Sequence, residues 1–552
     1  MNLQGSAMNG MTLKNALCRV RGPWGCVIAL AVFWVCILRN AELPGLYMDA
    51  INPDYLVARW LNPGLANPVW VMPGPSLPLL GNLYHGTQTM FIGLLTYGVL
   101  GTSVVSARVA QAIFGAAIVL LTWLILRRAA KRPLLAMVVA TALATDMAFI
   151  GSFRTQAYII LAGQAWMMLA LYLAMRSSQQ EQPSPWSSLL SGVSMGLAVY
   201  GYFVFLFFLL PIAALAILGG GRNGAGRRAC LWALGFVIGM LPYVIGYVWL
   251  AVDVGGIGPF VEWMRGALAG LKPTSGSSSY LAGLASAVQN ARLGLTGSGN
   301  EIMMIGESVS SGFAILRVGM TLLATAVCLV GAWLDWRRTP REARLLAAFA
   351  MLPLVYVLAA AWFGSRLWVH HFTVLVAVEY LTVGMAAAWL GGQGGKLRWQ
   401  QWTGAVLAVV LLVVNVVQQN RVHAQLVRTG GVGMSTDALP ALARAALTEK
   451  NSSVWFFPDW GFFMPFMFLT GNQVPYENEL TADSLRRHLG GRRGVRVAFW
   501  KEEDQQRHRK LLEANGIGDI RLYRMDRRDG QPALYVLSGQ ETGATITRSV
   551  QD

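Results

Sequence analysis

The sequence predicts an α-helical polytopic membrane protein that carries a small soluble α/β domain at its C-terminal end. Three observations lead there. Only 13% of the 552 residues are charged and 55% are hydrophobic; soluble domains carry roughly 25% charged residues, so most of this chain faces something other than water. Apolar runs such as VIALAVFWVCIL and GAVLAVVLLVVNVV recur at lengths suited to the hydrocarbon core of a bilayer. Basic clusters punctuate those runs at Arg127 to Arg132, Arg222 to Arg228, Arg337 to Arg344 and Lys396 to Arg398. Short basic loops between spans mark the cytoplasmic side, so the net charge of +17 points to membrane topology and away from nucleic acid.

The first apolar run, 23–40, is preceded by Lys14, Arg19 and Arg21, but AELPGLYMD after it offers no small-residue cleavage site. It reads as a retained signal-anchor helix. Further spans are expected at 103–126, 134–151, 157–175, 187–201, 203–218, 229–251, 314–334, 345–363, 369–390 and 402–418, about eleven in all. With the N-terminus inside, that number puts every strong basic cluster inside and the tail outside. Residues 1–419 are then a transmembrane domain with outer loops at about 41–102 and 252–313, and residues 420–552 a second, extracytoplasmic domain. In that tail the strand-like runs SVWFF, VRVAFW, IRLYRM and ALYVLS alternate with the helix-like TDALPALARAAL and EDQQRHRKLLEAN, the pattern of an α/β layer. The tail holds no Gly-rich phosphate loop. The cysteines Cys18, Cys26, Cys36, Cys230 and Cys328 all lie in or beside spans, so no disulfide framework is expected.

Chemistry concentrates on the expected outer face. GLYMDAINPDYLVARW, directly after the first span, places two acids close to the membrane surface. Asn52-Pro53-Asp54 reads as an N-cap, a proline in the first turn and a helix-start carboxylate, which gives Asp54 a structural task. Asp49 has none, and a carboxylate held beside an acceptor hydroxyl is a general base. Arg154 in SFRTQAY, and Arg366, His370 and His371 in FGSRLWVHHF, are cations or near-cations at the same membrane level. Singly they suit lipid anchoring; together they suit a lipid phosphate. The adjacent histidines lack the i, i+4 spacing of a metal pair. Tyr84 and His85, in GNLYHGTQ, are further polar candidates.

These residues resemble a family. MDAINPDYLVARWL is similar to the acidic motif and following helix found after the first span of the GT-C membrane glycosyltransferases, in the branch of protein O-mannosyltransferases and aminoarabinose–lipid A transferases. The stretch from LPLLGNLYHGTQ to LTWLILRR, the pair ATDMAFIGSFRTQAYIILAGQAWMMLALYLAMR and the late helix RLWVHHFTVLVAVEYLTVGMA resemble that family's following segments. The resemblance implies a GT-C fold and transfer of a sugar from a polyprenyl-phosphate donor to a glycan, lipid or protein acceptor, with inversion, on the outer face of a bacterial inner membrane. It implies Asp49 as base with Asp54 in reserve, Arg154, Arg366, His370 and His371 on the donor phosphate, and Tyr55, Tyr84 and His85 near donor or acceptor. It requires no cofactor and leaves a divalent metal open. Ala50 stands where the family's first Asp usually has an acidic neighbour, and RTQAYII lacks the acid that often follows the outer Arg.

Two rival readings remain. A transporter or flippase of lipid-linked glycans needs charges or broken helices deep in its spans, and Glu379 is the main such residue. A non-catalytic subunit of a cell-envelope polymer assembly complex would use the tail as its binding module.

Overall fold

The computed structural model describes residues 23–69, 78–180, 184–219, 223–270, 279–309, 311–393, 398–488 and 494–541. The basic residues before the first helix, the KPTSGSS stretch and most of the Lys396 to Arg398 cluster lie outside them. The protein is mostly helical and multi-pass. Among the described residues, six helices are long and apolar enough to cross a membrane: Val104–Ala129, Tyr158–Ser178, Ala225–Asp253, Ala314–Asp335, Pro340–Ala360 and Val369–Gly392. Trp24–Leu38, Pro133–Ala144 and Phe203–Leu218 are apolar but shorter, so length and composition carry the expected number of spans only in part.

Two expected elements are broken. The run 134–151 divides into Pro133–Ala144 and Met147–Ser152, because Asp146 accepts the Ala148 N–H at 2.7 Å and starts a new helix. The run 203–218 begins as a 3-10 turn over Phe203–Phe208. Both outer loops are more helical than their polar and Pro-rich flanks suggest: Gln88–Leu100 lies in the first, and Ile257–Gly270, Tyr280–Thr296 and Ser298–Ile305 in the second.

Close packing relies on small residues. Gly192 and Gly196 of the helix Pro185–Gly201 lie against Gly235 and Gly239 of Ala225–Asp253, where an added Cβ would overlap the partner's main chain. This is the small-xxx-small spacing by which membrane helices approach backbone to backbone. Near Phe33 of the first helix, Phe149 and Phe153 stand 5.9 and 6.2 Å away between ring centroids. These aromatics pin that helix to the segment carrying Arg154.

The last transmembrane-side helix, Arg398–Thr429, runs past residue 420 without a break. Beyond it is a five-stranded sheet in which β3 (Ser453–Phe456) lies between β4 (Tyr476–Glu477) and β5 (Gly494–Phe499), parallel to both. β5 continues antiparallel to β7 (Pro532–Glu541), which pairs with β6 (Ile517–Asp526). A separate short hairpin, β1 (Leu80–Asn82) with β2 (His85–Gly86), belongs to the first outer loop. The period of two sorts the strand side chains. Val454 and Phe456 pack with Leu485, Val497 and Leu512 on one face. Trp455 and Phe457 pack on the other with Phe462, Phe466, Leu46, Met48 and Tyr55. One core therefore joins the tail to the loop that follows the first span.

Candidate functional site

Asp49 sits in a 3-10 turn, Met48–Ala50, and three buried side chains hold the chain on either side of it. Arg154 spends both terminal nitrogens on main-chain carbonyls: Nη1 donates to Asn40 and Leu43 at 3.1 and 2.7 Å, and Nη2 to Ile37 and Arg39 at 2.8 and 2.6 Å. Arg108 donates to the carbonyls of Pro44 and Phe153 at 3.3 and 3.1 Å. Gln111, one helical turn further on, donates to the Ala50 carbonyl at 2.5 Å. The helix end is fixed by charge-assisted bonds and the turn by a neutral amide, and all of them would be costly to leave unmade in a buried site.

Among the described residues the Asp49 carboxylate has no hydrogen-bond or ion-pair partner. It keeps part of its surface open, yet the surrounding protein desolvates it enough to push its pKa up to about 6. Asp54 reaches the same value by burial but is fully enclosed and accepts a 2.8 Å hydrogen bond from the Tyr97 hydroxyl. It is not a helix-start charge: the helix begins at Leu56, with Tyr55 before it, and the carboxylate turns inward to Tyr97 of the neighbouring helix. Its second oxygen, Oδ1, is enclosed without a bonded partner.

Beside Asp49 stands an aromatic and imidazole cluster that contains four of the expected residues. Tyr84 is 5.3 Å from Tyr202 and 5.6 Å from His85 between ring centroids, and His85 stacks on Tyr202 at 5.8 Å and 13°. The Tyr202 hydroxyl lies 3.2 Å from His371 Nε2. His371 Nδ1 faces the main chain of Trp368, 3.0 Å from its nitrogen and 3.2 Å from its carbonyl oxygen. His370 lies against His371 at 4.2 Å, with Nδ1 enclosed and unpartnered. Burial, and secondarily the charge of Asp49, push the Tyr84 hydroxyl up to about 12; burial pulls His85 down to about 4. His85 Nδ1 sits 3.1 Å from the Gly86 carbonyl and must be the protonated nitrogen, because a carbonyl only accepts. Around Asp49, then, are neutral polar groups and one carboxylate.

The other expected residues divide. Arg366, in the short turn Gly364–Arg366 just before the histidines, is exposed. Arg154 is not turned to a ligand: its terminal nitrogens are taken by the carbonyls at the end of the first helix. Tyr55 is fully buried and meets Phe463 of the tail edge-on at 6.1 Å, so it is a core residue. Among the described residues no three His, Cys, Asp or Glu side chains gather as a metal-ligand set.

Three groups that shape this site were not expected. Arg108 and Gln111 pass in the sequence for the polar start of a span, and their i, i+3 spacing on one helix face was the available signal. Tyr202 passed for a residue between two spans. The hairpin carrying Tyr84 and His85 is likewise held from below, by Tyr200 on the Leu79 carbonyl at 3.0 Å and by Tyr243 and Tyr247 on that of Leu83.

No family model matches the chain, and no curated protein matches it in sequence. Solved structures do. The crystal structure of ArnT from Cupriavidus metallidurans bound to undecaprenyl phosphate overlays with a TM-score of 0.54 at 13% identity, over 94% of this chain and 98% of that one. The apo state of the same protein gives 0.53 at 13% identity, over 93% and 97%. The chain has the fold of the GT-C membrane glycosyltransferases. At this identity the likeness concerns the fold alone, and the GT-C fold spans the transmembrane part and the tail together.

Proposed function

We propose that the chain is a polyprenyl-phosphate-dependent glycosyltransferase that works on the outer face of a bacterial inner membrane, with its N-terminus cytoplasmic and residues 420–552 extracytoplasmic. The observation that carries this reading is Asp49: a desolvated carboxylate without a partner among the described residues, on a turn fixed by Arg108, Gln111 and Arg154. The fold supports the donor class, since the ArnT structure it matches holds undecaprenyl phosphate.

The chemistry follows from the groups present. An acceptor hydroxyl gives its proton to the Asp49 carboxylate as its oxygen attacks the anomeric carbon. The bond from that carbon to the phosphate oxygen breaks, its electron pair leaves with the polyprenyl phosphate, and attack from the opposite face inverts the centre. Arg366 is an exposed cation offered to the departing phosphate, with His370 four residues further along the chain. Asp54, enclosed and bonded to Tyr97, supports the fold. Tyr84 and His85, neutral and adjacent, offer hydrogen bonds to the sugar or the acceptor. The tail covers the Asp49 loop and limits water, which would otherwise hydrolyse the donor.

The test is transfer from radiolabelled polyprenyl-phosphate mannose, arabinose or glucose by the full chain in lipid nanodiscs with cell-envelope acceptors. Asp49→Asn is expected to lose about 10²- to 10⁴-fold of the rate, the share a general base supplies. Undiminished transfer by this variant overturns the assignment.

A further inference from the structure

The hairpin that carries Tyr84 and His85 is too small to hold its own shape. β1 and β2 pair only through Leu80 with Gly86 and Asn82 with His85, which leaves Leu83 and Tyr84 as a two-residue turn. A hairpin without further strands is marginal by itself. Its definition comes from outside, and the bonds that supply it fall on successive peptide groups around Tyr84.

The peptide before the turn is set by Asn82, whose side-chain oxygen accepts the Leu83 N–H at 2.7 Å. The next peptide, between Leu83 and Tyr84, presents its carbonyl to two hydroxyls: Tyr243 donates at 2.5 Å, and Tyr247 donates to the same oxygen. A carbonyl oxygen has two lone pairs, so this one is fully used and its peptide plane is fixed. The peptide after it, between Tyr84 and His85, offers its carbonyl to the Phe203 N–H at 3.0 Å. Tyr84 thus stands between two peptide groups, each held by a different part of the protein. Rotation about either of its main-chain bonds breaks one of these contacts.

The donors are where they are for reasons of sequence. Tyr243 and Tyr247 are four apart on the helix Ala225–Asp253, so their rings share one face, with centroids 5.0 Å apart. Phe203 has an N–H to give because the helix Pro185–Gly201 stops at Tyr202 and a 3-10 turn starts after it. The first N–H groups of a new helix have no internal partner. The glycine contacts between the two helices hold both sets of donors in a fixed relation. Tyr200 fastens the base of the hairpin as well, since its hydroxyl oxygen accepts the Thr87 N–H at 3.3 Å.

Stability alone asks for less. Phenylalanine at 243 and 247 would fill the same apolar cluster with Leu80 and Leu250, and each buried hydrogen bond adds only about 1 kcal/mol net. What the hydroxyls add is direction. The ring they direct is that of Tyr84, which stays partly exposed and meets Tyr202 at 5.3 Å between centroids.

We infer that Tyr243 and Tyr247 are positioning residues of the transferase: by fixing the Leu83–Tyr84 peptide they preset the Tyr84 side chain for the substrate group it bonds, without touching that substrate. The inference rests on the proposed transferase reading, so one arm of its test needs no turnover. A fluorotyrosine is incorporated at position 84 of the full chain in nanodiscs, and its fluorine resonance is recorded. The wild type is expected to show one resonance. Tyr243→Phe combined with Tyr247→Phe keeps both rings and should shift or split that resonance, with the thermal midpoint of unfolding lowered by only a few degrees. Transfer by this double variant should fall about ten- to hundredfold, in kcat more than in KM. Tyr84→Phe should then cost less in the double variant than in the wild type, because a hydroxyl that is no longer aimed has less to lose. Tyr243→Phe alone leaves one donor on the Leu83 carbonyl and should show the same changes at smaller size. An unchanged resonance, full transfer by the double variant, or strictly additive losses with Tyr84→Phe overturns the positioning role. A changed resonance in a protein whose wild type transfers none of the offered sugars instead overturns the transferase reading and keeps the clamp on the hairpin.

Discussion

Asp49 and Asp54 stand five residues apart in one loop, and burial raises both to about 6. Their surroundings nevertheless differ in kind. Asp54 is sealed and already bonded to Tyr97; Asp49 is partly open, with its main chain held and its carboxylate left over. Desolvation alone therefore does not single out a reactive acid. What separates the two is whether the protein has supplied a partner, because a carboxylate already accepting a hydrogen bond has less to offer an incoming hydroxyl.

The largest expected effect comes from exchanging amides for the two acids. Asp49→Asn should remove about 10²- to 10⁴-fold of transfer. Asp54→Asn should change transfer by no more than a few-fold and instead lower stability by about 1–3 kcal/mol, read from thermal unfolding, because the Tyr97 bond is weakened in a sealed site. Equal losses of activity from both would erase the distinction.

Next in size is Arg154→Leu. It strands the carbonyls of Ile37, Arg39 and Leu43 and takes one of two donors from that of Asn40, and should cost about 3 kcal/mol or more of stability. Arg154→Lys should recover only part of it, since an ammonium lacks the fork that reaches several carbonyls. A stable Arg154→Leu protein defective only in donor binding would restore Arg154 to the phosphate. Gln111→Leu is milder. It frees the Ala50 carbonyl and should reduce kcat about tenfold with little change in the acceptor KM, as expected when a base is displaced rather than removed. Gln111→Glu should not rescue it, since a carboxylate cannot donate to that carbonyl.

The smallest test is pH. The ordinary aspartate value is about 3.9, and folding raises Asp49 to about 6. Between those values the native chain binds a proton that the unfolded chain has lost, so this group's contribution to stability falls as pH rises through the window and is level above it. Transfer should move the other way, rising toward a plateau above about pH 6 as the carboxylate forms, and Asp54→Asn should leave that limb in place.

Much of this comparison was legible in the sequence, for reasons that can be named. The acids, the Tyr84–His85 pair and the histidines after Arg366 all fall at the ends of apolar runs that the basic loops assign to one side, where topology alone collects residues. The strand-like runs of the tail all lie in strands, because alternation reports a two-faced sheet. What stayed hidden depends on partners distant in sequence. Asn52-Pro53-Asp54 has the form of a helix start, yet the inward pull of Tyr97 decides where Asp54 points. Arg154 has the form of a phosphate ligand, but four carbonyls at and just after the end of the first helix claim it first. The buried set of Asp146, Arg317, Tyr380 and Asn415, where Arg317 meets Asp146 at 2.7 Å, is likewise assembled from helices far apart in the chain. It continues through Gln418 to Glu301, and leaves Glu379 Oε2 as an enclosed oxygen without a hydrogen bond.

The contact between the Asp49 loop and the tail bears on how the protein is made. Gly45 lies so close to the Thr436 carbonyl that a methyl group there would overlap it, and Met48 and Tyr55 share one core with Phe462 and Phe466 of the tail. The acid is thus among the earlier residues to leave the ribosome and its cover among the later ones. A nascent chain with every earlier span inserted would still present an open, wet site. On the proposed reading, donor lipid would be protected from wasteful cleavage by the order of synthesis, because the Asp49 loop is covered only once the segment from Ala438 to Phe468 has been made and packs on it.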